Sequence, residues 1–433
     1  MAFVHQRSCT LPRACGSTIS WKGCLVMARL ASALATMAAW TCGPAWFLQH
    51  AFSCAPQPLK LPPCDCLVSN LARRASSIGI DMRGTDASSK PTLIHHLPSD
   101  DPAKALTRLI SGESSAVGVL EVVGKEISNP HFNIIHVSTA LHRLARWQHT
   151  VDKQALGQYE AVLDELITTA ENLITKETPA QAIANMIWAS AKLWSQFPAI
   201  QRLLPSLVDA ADWMSTLFIP QAASNILWAA AVLCKEAPKL SELAPTIMDT
   251  LASQIKSANG QQIANAVWAV GILELKGARV DGFIEAALVR STPELLRFQP
   301  QELGNLCWGL VLCSYNDAAF MALLSRTVLR KMPAWRGSAL SFNLPQIMWA
   351  FAKFDVLNDQ FMVKSSERLL LQSLSKLPDW NICAVAWSLP RLDKEGNLGN
   401  FAHEVRMEVR RRSFTQADVE RSATGIQDWA PKT

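Results

Sequence analysis

The chain has only two tyrosines in 433 residues, and its 19 glycines and 23 prolines are scattered. That scarcity argues against the turn-rich, aromatic strands of a sandwich or barrel. Disulfide chemistry is missing as well: seven of the 11 cysteines (Cys9, Cys15, Cys24, Cys42, Cys54, Cys64, Cys66) crowd the first 66 residues. The other four, Cys234, Cys307, Cys313 and Cys383, sit in apolar helical runs and are expected to pack as small hydrophobes. No phosphate loop, dinucleotide glycine motif or HExxH pair occurs, and no Ser, Cys or Lys stands in a nucleophile setting. The nine histidines offer no ligand set: His95 and His96 are adjacent in a polar stretch, and His136, His142 and His149 lack matched thiols or carboxylates. We therefore expect no catalytic residue, no metal, no cofactor and no small-molecule substrate.

Strong charge is also lacking. The net charge is +5, but residues 1–149 hold 14 Lys+Arg against 8 Asp+Glu, whereas residues 150–395 hold 21 against 23. A near-neutral body excludes binding through a global positive field, so any nucleic-acid affinity rests on local cations.

No acidic residue precedes Asp65, while Arg7, Arg13, Lys22 and Arg29 lead into an uncharged run from Leu30 to Gln49 that Gly43-Pro44 interrupts. Three readings stay open for that run: a cleaved signal, a retained membrane helix, or an unstructured leader. Leu71-Ala-Arg-Arg-Ala-Ser-Ser77 adds a transit-like segment, and signal followed by transit resembles the bipartite presequence of a plastid bounded by extra membranes. Residues 1–75 are thus expected to be a targeting presequence, with plastid the first destination and mitochondrion the second, and residues 76–103 a disordered linker.

What is plentiful is Ala, Leu and Trp, and the tryptophans keep a register. Trp188, Trp228, Trp268, Trp308, Trp349 and Trp387 recur at 38–41 residues inside segments such as Gln181-AIANMIWASAKL, Gln221-AASNILWAAAVL, Gln261-QIANAVWAVGIL and Gln301-ELGNLCWGLVLC. Asn343-LPQIMWAFAKF and Asn381-ICAVAWSLPRL are looser copies. Each segment predicts a helix of about 13 residues, apolar nearly all round and so buried between neighbours. A small residue follows every Trp (Ala189, Ala229, Ala269, Gly309, Ala350, Ser388), which lets another helix come close. Between the segments, Ile200–Thr216, Leu240–Lys256 and Asp359–Ser373 predict a second, amphipathic helix per unit. Two helices per repeat bury their faces only by stacking. The expected fold is all-α: a right-handed superhelical α-solenoid of about six two-helix repeats over residues 151–395. Capping helices are expected over 104–150, where Val137, Ala140, Leu141 and Leu144 keep helical spacing, and a basic closing helix and tail over 396–433.

The pattern Gln-x-x-x-Asn-x-x-Trp-Ala-x-x-x-Leu, clear in four units and loose in two, resembles the octotricopeptide repeat of organelle RNA-maturation and translation factors. The resemblance covers about residues 150–395. It implies single-stranded organelle RNA as partner, read one base per repeat on the concave side, with other RNA-maturation proteins as further partners. Many members of that family end in a RAP domain, and the 38 residues after Glu395 are too few for one.

Which residues would do the reading is a matter of phase. The Trp, uniform and Ala-flanked, is expected in the core. The uniform Asn (Asn185, Asn225, Asn265, Asn305) is expected to hydrogen-bond between repeats, because a sequence reader needs residues that vary. Six before each Trp stand Ala182, Ala222, Gln262, Glu302, Asn343 and Asn381; of these Gln262, Glu302, Asn343 and Asn381 are the candidate readers. Four after it, Lys192, Lys353 and Arg391 are candidate phosphate contacts, on the same helical side as Trp within about 60°. Arg410, in the Arg406–Arg412 cluster, is a further candidate. The expectation is a non-enzymatic RNA binder outside the membrane; the alternative is a protein–protein scaffold.

Overall fold

The computed structural model describes residues 101–147 and 157–424, all within one compact unit. The expected presequence and the linker up to residue 100 lie outside the described residues, as do residues 148–156 and the tail after 424. Among the described residues there are helices and no strand. Pro102 already opens a helix inside the stretch expected as linker, with the Asp101 side chain accepting from the Ala103 backbone N–H as N-cap.

In chain order the helices pair as α1 (Pro102–Gly112) with α2 (Ala116–Glu126), α3 (Ile134–Trp147) with α4 (Glu160–Leu173), and α5 (Ala180–Leu193) with α6 (Leu204–Trp213). Next come α7 (Pro220–Val232), the short α8 (Pro238–Glu242) and α9 (Ala244–Ser253), then α10 (Gly260–Ile272) with α11 (Ala278–Ser291) and α12 (Pro300–Leu312) with α13 (Ala318–Lys331). The remainder are α14 (Leu344–Lys353) with α15 (Asp359–Gln372), α16 (Asp379–Leu392) with α17 (Gly399–Arg411), and α18 (Gln416–Ser422). One layer runs α1, α3, α5, α7, α10, α12, α14, α16, α18, each helix packed on the next; the second helices form the other layer. The six expected repeats are thus part of a longer stack. The expected cap over 104–150 holds a further pair beyond α3, and α18 adds an unforeseen closing helix.

Local chemistry explains where the inner helices start and stop. Pro220 and Pro300 occupy first-turn positions where no N–H is needed. Asn259 with Gln262, and Gln299 with Glu302, form capping boxes. At the other end Glu274, Ser314 and Asp355, each six residues past its Trp, adopt positive φ. There Leu275, Tyr315 and Val356 donate their backbone N–H back to Val270, Leu310 and Phe351, closing the last turn. The outer layer is laced by charge between neighbouring repeats. Arg202 reaches Asp164 and Glu171, Arg279 pairs with Asp249, and Lys331 donates to the Leu296 carbonyl.

Packing in the inner layer is close because the residue after each Trp is small and fully buried: Ala189, Ala229, Ala269 and Ala350 are all 0% exposed. At Gly309 the approach is tightest, since a Cβ there would lie 2.6 Å from the backbone of Val267 and Trp268. Gly309→Ala is therefore expected to destabilise α10 against α12 by about 1–3 kcal/mol despite its better helix propensity, read as a lower Tm; an unchanged or higher Tm would show that the two backbones can separate freely.

Candidate functional site

Four of the inner helices leave one stripe partly open. In α5, α7, α10 and α12 the Gln seven before Trp, the Asn three before, the Trp itself and the residue four after are all half-buried or exposed, while the positions between them are buried except Gln262, Glu302 and Val311. The spacing 7, 3, 0 and 4 falls within one narrow angular sector of a helix, so the stripe follows from geometry. Stacked helices place the stripes side by side as a continuous tryptophan face.

This departs from the expectation of core tryptophans. Trp349 and Trp387 are buried, at 0% and 6% exposure, but Trp188, Trp228, Trp268 and Trp308 are only half-buried. The physical reason lies next door: the small residue after Trp takes the closest interhelical contact, and the indole one position back is turned toward the opening. Two consecutive pairs of rings still touch. The Trp188 and Trp228 centroids are 6.3 Å apart, as are those of Trp308 and Trp349. The Asn ladder has its expected inter-repeat bond between α10 and α12, where Asn305 Nδ2 donates to Asn265 Oδ1. In α5 the bond is local, from Gln181 Nε2 to Asn185 Oδ1.

The three cations four after Trp lie on this face. Lys192 Nζ sits 4.6 Å from the Trp228 ring and 6.0 Å from that of Trp188. Lys353 Nζ lies 5.0 Å from the Trp387 ring, and the Arg391 guanidinium lies 3.9 Å from the same ring. Each cation therefore rests on an indole. Burial lowers the Lys192 and Lys353 ammonium pKa values, and for Lys353 the neighbouring Arg391 lowers it further while Glu420 opposes. Between these charged ends, Val232, Ile272 and Leu312 make the same position apolar.

The four candidates six before Trp are placed elsewhere. Gln262 and Glu302 accept from the backbone N–H of Asn259 and Gln299 in the capping boxes. Asn343 and Asn381 are buried, and Asn381 Nδ2 donates to the Phe342 carbonyl. Capping bonds hold Gln262 and Glu302, and a bond across an interhelical seam holds Asn381, off the open stripe, while Asn343 is kept from it by burial. Arg410 is exposed on α17, apart from the stripe. Its neighbours are occupied: Arg411 and Arg412 both pair with the buried Glu408, and Arg412 also donates to the carbonyls of Leu374, Ser375 and Leu377.

Two members of the face were missed. On α3, Ile135, Thr139, His142 and Arg146 share the phase of the later stripes. His142 stands in the Trp place, its ring 5.0 Å from Trp188. The longer connection after α3 breaks the 40-residue register, so only helical phase could have revealed it. Trp380 occupies the place where the first four repeats have Gln, and it stacks on Trp308 with centroids 5.1 Å apart and planes 6° from parallel. No protein-family model matches the chain, and no curated protein matches it.

Among the described residues no group of three His, Cys, Asp or Glu side chains gathers as for a metal ion, and no helix is long and apolar enough to cross a membrane. Burial pushes the Cys313 and Cys383 thiols up to about 12, with nearby Asp281 for the first and Asp418 and Asp379 for the second adding to the rise, so neither is a thiolate at neutral pH.

Two pH windows follow. Burial, with Arg146 and Arg143 adding, lowers His142 to about 4, so as pH falls from about 6.5 the unfolded chain takes up this proton first. Stability is then expected to drop by about 2 kcal/mol between pH 6.5 and pH 4, and His142→Trp should flatten that stretch of a Tm-against-pH curve; an equally steep curve would clear His142 of the effect. Hydrogen bonds from Arg411 and then Arg412 hold Glu408 at about 2. Its contribution is present above about pH 4.5 and lost as pH falls toward 2, so Glu408→Gln should cost about 2 kcal/mol at pH 7 and little at pH 2, measured by denaturant titration at the two pH values.

Proposed function

We propose that the chain is a non-enzymatic binder of single-stranded RNA that lays the strand along the tryptophan face, roughly one nucleotide per repeat. The observation that carries this reading is the run of half-open indoles in α5, α7, α10 and α12, each flanked by an Asn and a Gln. Flat aromatic surfaces accept unstacked bases of any sequence, and amides beside them pair with base edges. Lys192, Lys353 and Arg391 supply phosphate contacts at the ends, and the apolar positions between leave stacking as the main source of affinity. The octotricopeptide-like motif supports the same reading, with action on the stability, processing or translation of an organelle transcript, in a plastid ahead of a mitochondrion. Other RNA-maturation proteins are the natural co-partners.

Selection of a random single-stranded RNA pool on the full chain tests this directly. Enrichment of a short motif is expected. Trp228→Ala combined with Trp268→Ala should weaken binding at least tenfold while leaving helicity intact, because stacking contributes about 1–3 kcal/mol per base. With about three phosphates neutralised, the slope of log K against log salt should be shallow, about −2. The near-neutral body and the apolar Val232, Ile272 and Leu312 favour one rival, a scaffold for an extended peptide. Failure to retain any RNA at low salt would exclude the RNA reading in favour of that one.

A further inference from the structure

The Gln place of the inner helices loses its amide at the last two copies, to the exposed Phe342 before Trp349 and to Trp380 in α16. Gln181, Gln221, Gln261 and Gln301 give way to Trp380, whose side chain is only 8% exposed. Its ring lies flat on Trp308 of α12, two inner helices away, and edge-on to Trp349 of the intervening α14, at 6.1 Å between centroids. An indole is a planar bicycle of about the size of a purine, and the parallel offset geometry on Trp308 is that of a stacked base. The same cluster leaves two donors unanswered: Trp308 Nε1 and Trp349 Nε1 are buried with no hydrogen-bond partner. Burying an N–H without an acceptor is unfavourable, and most native groups avoid it. The arrangement thus satisfies the apolar faces of three rings and neglects the polar edges of two of them, which suits an occupant carrying both a flat face and acceptor atoms.

We propose that Trp380 is a placeholder for a nucleobase on Trp308, and that single-stranded RNA displaces it when it occupies the tryptophan face. This rests on the stacking reading above. In the free protein the Trp380 ring covers one face of Trp308, and the track without such a cover runs through Trp188 and Trp228 to Trp268. Displacement adds one stacking position and presents the indole N–H groups of Trp308 and Trp349 to the acceptors of a base, a ribose or a phosphate.

The test compares the full-length protein with its Trp380→Gln variant, which restores the side chain of the first four repeats, and with Trp380→Leu, which keeps the site apolar without a stacking face. Oligoadenylates and oligouridylates of graded length serve as probes, with Trp228→Ala as reference. Removing the placeholder is expected to tighten binding about tenfold, one base-stacking increment, and to move the length at which affinity saturates. Affinity and saturating length unchanged in both variants would overturn the proposal, and so would weaker binding in both, which would make Trp380 itself a platform. Should neither variant fold, Trp380 is a core residue and the proposal fails. If Trp228→Ala loses RNA while the Trp380 variants match the parent, the inference falls and the RNA reading survives; if the parent binds no probe, both fall.

Discussion

Everything on the tryptophan face depends on how near consecutive inner helices come to one another. A buried Ala, Gly or Ser sits at the contact point of each of the six Trp-bearing helices, and at Gly309 the neighbouring backbone occupies the space of a side chain. That closeness fixes the rotation of every inner helix, because only the sector with small residues can face the neighbour. In α5, α7, α10 and α12 the indole one residue earlier is then carried to the opening, together with the residues three and seven before it and four after, whereas in α14 and α16 it is covered. Rings in adjacent repeats come within about 6 Å by the same constraint. A larger residue at the contact would separate the helices and scatter the stripe.

Much of this was legible in the chain itself. The 40-residue register, the inner helices and the phase shared by Gln, Asn, Trp and the residue four after depend on local sequence and helical geometry alone. Ile200–Thr216 proved to be a 3-10 turn, Pro198–Leu203, leading into α6, and Leu240–Lys256 to be divided between α8 and α9, with a proline in the first turn of each piece; boundaries of that kind rest on backbone detail that periodicity does not resolve. The tryptophan burial was misjudged because composition around a residue gives its neighbourhood, while the direction of its side chain depends on which neighbour wins the contact. Gln262 and Glu302 varied between repeats and so resembled readers. Their position three residues into a helix, behind Asn259 and Gln299, carried the capping signal that explains them better. Trp380 escaped notice because its stacking partner is 72 residues away on a helix two repeats removed.

Charge is distributed by layer. The outer helices use many of their cations on carboxylates and carbonyls of the preceding repeat, as Arg202, Arg279 and Lys331 do. The inner face keeps few cations and sets them on aromatic rings. A surface so arranged offers flat rings and few free charges.

Repeats that touch only their neighbours behave mechanically as springs in series, each joint yielding independently of the others. The Trp380 ring breaks that independence, since it ties α16 to α12 across α14. Under tension, or in thermal breathing, the repeats from α12 to α16 should move as one stiff block while those from α5 to α10 stretch and bend. The molecule thus has a compliant end and a rigid end, and a flexible strand meeting it finds one part that conforms and one that does not.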